Sequence, residues 1–343
     1  MSRWLKVLLT VFLVIVVLLA LGITFTIGWR PFIGPKTRAL TDRRFEASPT
    51  RLKRGEYIVG NVAGCLFCHS ELDTTAEGLP VKAGTAGAGR SFAQEGIPFL
   101  TSPNITPDAT TGAGNWSDDT LARAIREGVG HDGRTLFPMM PYVNYRSMSD
   151  EDLASVVTYL RSLPTVSRQQ PKSNVPFPVN RFINAVPQPV EEPVPEPNMS
   201  TPEKRGQYLV TLASCGDCHT PMDDRGQYMA GLEFAGGSTF LYTDRAPKAA
   251  ANITPAVNGI PYYTEALFLE TIRTGRVRER KLTDVMPWGH YRNMTDEDLK
   301  SIFAYLKTLK PVDHYVDNAQ SPTKCARCTL EHGGGERNKA VGG

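Results

Sequence analysis

The pentapeptide Cys-x-x-Cys-His occurs twice in this chain, at Cys65 to His69 and at Cys215 to His219, and the residues around it repeat in the same order. Arg54-Gly55-Glu56-Tyr57-Ile58-Val59 returns as Arg205-Gly206-Gln207-Tyr208-Leu209-Val210, ahead of the cysteines in both copies. Asn104-Ile105-Thr106-Pro107 returns as Asn252-Ile253-Thr254-Pro255. Met140-Pro141, Tyr145-Arg146 and Met148 to Leu153 return as Met286-Pro287, Tyr291-Arg292 and Met294 to Leu299. The offset slides from 150 to 148 to 146, so the second copy is about four residues shorter in its loops. Self-similarity of this kind marks a duplicated unit, and 343 residues suit about two domains.

Each copy carries the same helical signals. Ser48-Pro49 and Thr201-Pro202 read as an N-cap followed by proline at the first helical position, opening a helix that runs into the cysteine motif. A middle helix begins near Ser117, with Leu121, Ala124 and Ile125 on one face; its counterpart begins near Thr264 and carries Phe268 and Ile272. A last helix begins at Ser149 and at Thr295, each followed three residues on by an aspartate, close to a capping box. Leu153, Val156, Val157 and Leu160, and Leu299, Ile302, Phe303 and Leu306, follow the i, i+3, i+4, i+7 spacing of a buried helix face. No strand pattern competes, so the expectation is an all-α chain with long glycine-rich loops at Gly84 to Gly89 and Gly231 to Gly237.

The remaining stretches separate by composition. Val7 to Ile27 is uncharged over 21 residues, which at about 1.5 Å per residue reaches roughly 30 Å, a bilayer core. Its apolar run exceeds that of a secretory signal and lacks a small-x-small cleavage site, which favours one uncleaved transmembrane helix. Eight prolines between Pro171 and Pro197 predict extended, semi-rigid chain, and the glycines after Pro311 predict a mobile tail. The expected divisions are a membrane anchor at 1–30, a juxtamembrane linker at 31–47, a first domain at 48–167, a Pro-rich linker at 168–200, a second domain at 201–311 and a tail at 312–343.

Two thiols spaced i, i+3 on one helical turn, followed directly by histidine, are the attachment signature of c-type haem. Cys65, Cys68 and His69, and Cys215, Cys218 and His219, are therefore expected to hold two covalently bound haem c groups, with the histidines as iron ligands. A zinc site needs a second ligand pair nearby, and a thioredoxin-like pair needs an α/β background; neither context is present. Of nine methionines, only Met140/Met286 and Met148/Met294 repeat in register. Met148 and Met294 precede a helix cap, where an apolar residue acts as a hydrophobic staple. Met140 and Met286, each stiffened by the following proline, are expected to be the distal iron ligands, with Met139 the nearest competitor. His131, His290, His314 and His332 lack repeat partners and read as solvated loop residues, although His290, four residues from Met286, leaves a His/His second haem open. Cys325-Ala326-Arg327-Cys328 is followed by Thr329 and so lacks the histidine of a third haem. A local disulfide, free thiols or a metal site with His332 stay open, an oxidising compartment favouring the disulfide.

Residues 48 to 311 resemble class I cytochrome c domains, in particular the haem domains in the cytochrome subunits of membrane-bound quinoprotein alcohol and gluconate dehydrogenases. Arg54-Gly55-x-Tyr57, Cys65 to His69, Ser102 to Pro107, Trp116-Ser117-Asp118, Ala124 to Gly128 and Met140-Pro141-Tyr142 carry the resemblance. It implies a close crossing of first and last helix at Gly55 and Gly206, an Asn-Ile-Thr-Pro segment covering the haem near its propionates, and Arg126 and Arg273 facing a propionate. Those subunits usually carry three haem domains; this chain has two and places its hydrophobic segment at the N-terminus.

Histidine opposite methionine fills both axial positions of an iron, which suits electron transfer and raises the potential. The expectation is a tethered relay rather than an enzyme: a dehydrogenase or quinol-oxidising complex as donor, and an oxidase, reaction centre or soluble cytochrome as acceptor. Haem attachment, by family resemblance, places the domains on the periplasmic side of the cytoplasmic membrane. A di-haem peroxidase-like enzyme and a structural subunit of a membrane complex are the rivals. The basic run Arg273, Arg276, Arg278, Arg280 and Lys281 is a candidate docking surface for an acidic partner. With 38 basic against 35 acidic residues, bulk electrostatics exclude nucleic acid as a partner.

Overall fold

The computed structural model describes residues 2–242 and 245–339, so the terminal Gly342-Gly343 pair lies outside the described residues. The chain forms two compact units. The first gathers Met1–Asp42, Asp119–Arg146 and Val175–Glu192; the second gathers Arg43–Asp118, Ser147–Asn174 and Pro193–Gly343.

In the first unit, helix α1 (Arg3–Phe25) starts on Ser2, whose hydroxyl accepts from the Leu5 amide. The hydroxyls of Thr10, Thr24 and Thr26 donate to carbonyls four residues back, which leaves an apolar outer surface. None of its residues is buried against protein, and it is long and apolar enough to cross a membrane. The turn Arg30–Ile33 packs on a second helical turn, Val179–Phe182, continued by Ile183–Ala185. That turn departs from the extended chain expected between residues 171 and 197, because Pro178 and Pro187 leave eight consecutive residues free of proline. Helix α3 (Asp118–Glu127), which follows α2 (Pro49–Tyr57) in the chain, contributes Asp119 and Glu127 to this unit. The Arg38 guanidinium grips Asp119 with two bonds of 2.7 Å and Glu127 with one of 2.8 Å, and the Thr41 amide donates to Asp119 at 2.7 Å. Arg38 and Thr41 hold the Asp119 carboxyl below its usual range against the cost of burial, whereas burial pushes Glu127 up. Removing Arg38 strands two buried carboxyl groups, a loss of about 3–5 kcal/mol for a broken buried pair.

The second unit holds α2 (Pro49–Tyr57), α4 (Asp150–Ser162), α5 (Pro202–Leu212), α6 (Glu265–Thr274) and α7 (Asp296–Thr308). Ser48, Ser149, Thr201, Thr264 and Thr295 cap their helices by accepting a backbone amide three residues on. The expected faces of α4 and α7 are buried from Leu153 to Leu160 and from Leu299 to Leu306. First and last helices pack in pairs, α2 on α4 and α5 on α7. The crossings are so close that a Cβ on Gly55 would stand 2.0 Å from the Ser155 carbonyl oxygen, and one on Gly206 1.9 Å from that of Ser301. No side chain fits at either position. Tyr57 stands eight residues before Cys65, whereas Tyr208 stands seven before Cys215. The extra residue is absorbed as a π-helical turn, Ile58–Val62, at the end of α2.

At each crossing a buried aspartate collects donors. Asp152 accepts two bonds from Arg54, at 2.7 and 2.8 Å, and one from the Tyr208 hydroxyl at 2.7 Å. Asp298 accepts from Arg205 and from the Tyr57 hydroxyl, both at 2.5 Å. Each tyrosine oxygen also accepts the amide of a helix cap, Ser149 or Thr295. The arginine comes from the same sequence copy as its aspartate and the tyrosine from the other, so the copies exchange hydroxyls.

Against the all-α expectation, four antiparallel two-stranded ladders occur among the described residues: β1 (Arg90–Ser91) with β2 (Thr101–Ser102), β3 (Thr239–Tyr242) with β4 (Arg245–Ala249), β5 (Arg276–Val277) with β6 (Arg280–Lys281), and β7 (Pro322–Lys324) with β8 (Glu331–Gly333). Their strands are two to five residues long, too short to leave an alternating pattern. The last ladder also corrects the mobile tail. After Pro311 the chain folds back on the second unit, with Tyr315 and Asn338 exchanging two hydrogen bonds and Val312, Cys325 and Cys328 buried beside Leu232 and Ala235. The glycines at 333–335 serve a strand and a tight turn.

Burial and Asp298 raise the Tyr57 hydroxyl to about 12. A raised acid pKa means the folded state keeps its proton after the unfolded chain has lost it, so stability falls as pH climbs from about 10 toward 12, by up to about 1.4 kcal/mol per pH unit. Tyr57→Phe is expected to cost about 1.5–3 kcal/mol at neutral pH, the worth of a bond to a charged group. Urea denaturation across pH 7–11 should show both that loss and a shallower alkaline decline than in the parent; an unchanged alkaline slope would refute the assignment.

Candidate functional site

Both cysteine motifs lie on a single helical turn in the second unit, Cys65–Cys68 and Cys215–His219, each entered through a left-handed residue, Gly64 or Ser214. That turn puts the two thiols of a motif side by side, half-buried, with the histidine next in line. His69 and His219 are each 9% exposed. Nδ1 of His69 is 2.9 Å from the Pro103 carbonyl oxygen, and Nδ1 of His219 is 2.7 Å from that of Ala251. A carbonyl only accepts, so Nδ1 carries the proton and Nε2 presents its lone pair. Burial lowers both imidazole pKa values, which keeps the rings neutral and ligand-ready.

The carbonyls are fixed by the residue that follows them. Asn104 Oδ1 accepts from the Thr106 amide and hydroxyl, at 3.0 and 2.7 Å, while its Nδ2 donates to the Val166 carbonyl at 2.7 Å. Asn252 does the same with Thr254, at 2.9 and 2.8 Å, and donates to Val312 at 2.8 Å and His314 at 3.0 Å. The repeated Asn-Ile-Thr-Pro segment thus sets the histidine-bearing carbonyl. Sequence reasoning missed Pro103 and Ala251, because a backbone acceptor has no residue signature; the repeat of the segment in register was the available signal.

Met140 belongs to the first unit, while Cys65, Cys68, His69, Cys215, Cys218, His219 and Met286 all belong to the second. The methionine turns are alike. The Tyr142 amide donates to the Met140 carbonyl at 2.8 Å and the Trp288 amide to that of Met286 at 2.7 Å, and Pro141 and Pro287 share backbone angles, φ −81° with ψ 46° and 50°. Met140 and Met286 are half-buried, whereas Met148 and Met294, 1% exposed, are packed into the protein, in keeping with staples.

His290 is not a solvated loop residue. Its ring packs against Gly64 and lies 5.5 Å from that of Phe67, within the first motif rather than beside His219. Tyr291, whose ring lies 4.0 Å from that of His290, donates to the Ala213 carbonyl at 2.6 Å, just ahead of the second motif, and burial raises its hydroxyl well above the ordinary value. Among the described residues, Trp288 Nε1, a donor, and both nitrogens of the neutral His290 ring, one donor and one acceptor, are buried without a hydrogen-bond partner. Two unmet donors on this turn fit a ligand that brings acceptor oxygens, as a haem with its propionates does. Arg273 departs from the propionate role, being paired with Asp296 at 2.6 Å and with the Arg292 carbonyl. Within the basic run, Lys281 and Arg276 face Glu77 at 3.0 and 3.9 Å, which trims its charge.

The cytochrome c family model matches residues 52–164. The chain is 32% identical to the gluconate 2-dehydrogenase cytochrome c subunit of Pantoea cypripedii over 78% of its own length and 62% of that protein. It is 30% identical to the cytochrome c subunit of the quinone alcohol dehydrogenase of Gluconacetobacter polyoxogenes, over 78% and 58%. A diheme cytochrome c-type protein of Cereibacter sphaeroides is 29% identical over 76% of this chain and 86% of its own. The chain therefore spans about 60% of the length of the two dehydrogenase subunits.

Asn252→Ala removes the lock on the carbonyl that orients His219 and leaves buried groups unpaired. It is expected to cost at least about 2 kcal/mol in chemical denaturation, with Asn104→Ala doing the same for His69; a loss under about 0.5 kcal/mol in either variant would show that the loop is held by other means.

Proposed function

Starting from residues 52–164, which belong to the cytochrome c family, we propose that the whole chain is a membrane-tethered di-haem c-type cytochrome that relays electrons between redox partners. A haem c bound at each motif supplies a one-electron iron couple. The chain supplies everything else. Cys65 and Cys68, and Cys215 and Cys218, attach the groups; His69 and His219, neutral and fixed through Nδ1, offer Nε2 to the iron. Met140 and Met286 would hold the groups together with the histidines in this reading, so the protein would serve as a carrier and not a catalyst. The reading rests above all on two Cys-x-x-Cys-His turns whose histidines are held by the same carbonyl bond. The adjacent pair His290 and Tyr291, touching Phe67 of the first motif and the Ala213 carbonyl just before the second, supports transfer between the groups within the second unit.

The apolar helix α1 supports tethering, with the attachment sites on the periplasmic side of the cytoplasmic membrane. Tandem class I cytochrome c domains at 48–167 and 201–311, joined by the Pro-rich segment 168–200, remain the proposed division. The gluconate and alcohol dehydrogenase relatives support a dehydrogenase as electron donor. The acceptor, an oxidase, reaction centre or soluble cytochrome, is proposed from the chemistry alone.

The purified protein is expected to give two haem equivalents by pyridine haemochrome and a methionine-to-iron band in the far red, with no carbon monoxide binding to the ferrous form. Met286→Ala should open one iron to carbon monoxide, Met140→Ala the other, and Met→His at either site should lower that potential, within the roughly 0.8 V range that axial ligands command. Fewer than two haems, or ready carbon monoxide binding and peroxide turnover by the parent protein, would overturn the relay in favour of a peroxidase-like enzyme.

A further inference from the structure

The C-terminal hairpin builds a second kind of site. His314, Cys325, Cys328 and His332 are all buried, none more than 1% exposed, and one ligand atom from each lies within 4.8 Å of the others. Nε2 of His314 is 3.3 Å from Cys325 Sγ. Bonds of about 2.0–2.1 Å to nitrogen and 2.3 Å to sulfur at tetrahedral angles give edges of about 3.3–3.8 Å, so shifts of about an ångström close the set.

We propose that these four side chains bind one zinc ion, a Cys2His2 structural site separate from both haem attachment motifs.

Each ligand is already oriented. His314 donates through Nδ1 to the Ala235 carbonyl at 2.9 Å and His332 through Nδ1 to that of Gly333 at 3.3 Å, which leaves both Nε2 atoms as donors to a metal. Nε2 of His332 is buried with no hydrogen-bond partner among the described residues. Cys325 Sγ accepts the amides of Arg327 and Cys328, at 3.3 and 3.4 Å, which fixes the sulfur beside His314. The turn closes by a bond from the Thr329 amide to the Cys325 carbonyl, with Thr329 at φ +58°. The loop at Gly237 gives the cluster room: a Cβ there would stand 2.7 Å from His314 and 3.4 Å from Cys328 Sγ. Leu232, Ala235, Val312, Met229 and Leu330 form a dry apolar wall. Two thiolates and two neutral imidazoles in such a closed, fully protein-ligated set select zinc among common divalent ions. The two cysteines are not joined, which corrects the disulfide expected from the compartment, and His314 and His332 are not solvated.

The position explains why a site belongs here. The His314 carbonyl accepts from Asn252, and the neighbour of Ala235, Gly236, donates its amide to the His219 carbonyl at 2.7 Å. Offset by 146, the residue matching His314 is Arg168, which in the first copy pairs with Glu71, while Gln170 donates to the Ala88 and Gly89 carbonyls. In the second copy Asn318 pins the backbone of Ala249 with two bonds of 2.8 Å, and the cluster fastens the stretch at His314.

Elemental analysis of the purified full-length haem-loaded protein should find one zinc beside two irons, retained through desalting, and falling to zero in Cys325→Ser and His332→Ala variants that keep both haems. In the parent protein, alkylation of Cys325 and Cys328 should need a strong chelator, which gives the same answer without a variant. Absence of zinc in protein that also fails to take it up after phosphine reduction would overturn the proposal, as would a Cys325–Cys328 disulfide in protein produced with zinc supplied.

Discussion

The buried carboxylates of Asp152 and Asp298 govern the second unit. Each sits buried in the first turn of a last helix, and a buried carboxyl group needs its oxygens satisfied. An arginine and a tyrosine reach each one at once. The arginine lies beside Gly55 or Gly206, so the ion pair and the close helix crossing are one constraint, and the same first helix leads directly into the cysteine turn. Neither sequence copy satisfies its own aspartate without a hydroxyl from the other. The duplicated sequence therefore produces a mutually dependent pair rather than two self-sufficient beads.

From that frame the histidines inherit their precision. Their Nδ1 partners are backbone carbonyls, and a carbonyl is only as well placed as the loop that carries it. Asn104 and Asn252 fix those loops by bonding forward to a threonine two residues on and across to the chain after the last helix. The two copies share this logic down to bond partners and differ in how the crossing chain is secured: an ion pair and a glutamine in one, the histidine–cysteine cluster in the other.

Much of this was legible in the sequence. Caps at Ser48, Ser149, Thr201, Thr264 and Thr295 and the buried faces of α4 and α7 follow from local rules, since N-caps and 3.6-residue periodicity are written in adjacent residues. The attachment motifs are equally local. What stayed hidden depends on residues distant in sequence. The exchanged tyrosines stand 241 and 56 positions from their aspartates, and nothing near Tyr57 announces Asp298. His290, His314 and His332 had no repeat partner and so resembled ordinary surface histidines; only the folded chain buries His314 and His332 and packs His290 against Gly64. The tail misled because glycine signals both flexibility and tight turns, and the sequence does not say which.

Arg38 brings one last consequence. Thirteen positions separate it from Phe25, the last residue of α1, and four of them coil in the turn Arg30–Ile33. That much backbone spans under about 40 Å even when drawn taut. With α1 in a bilayer, the clamp on Asp119 and Glu127 fixes the end of a short leash. The first unit is thereby confined to within the reach of that leash above whatever surface holds α1.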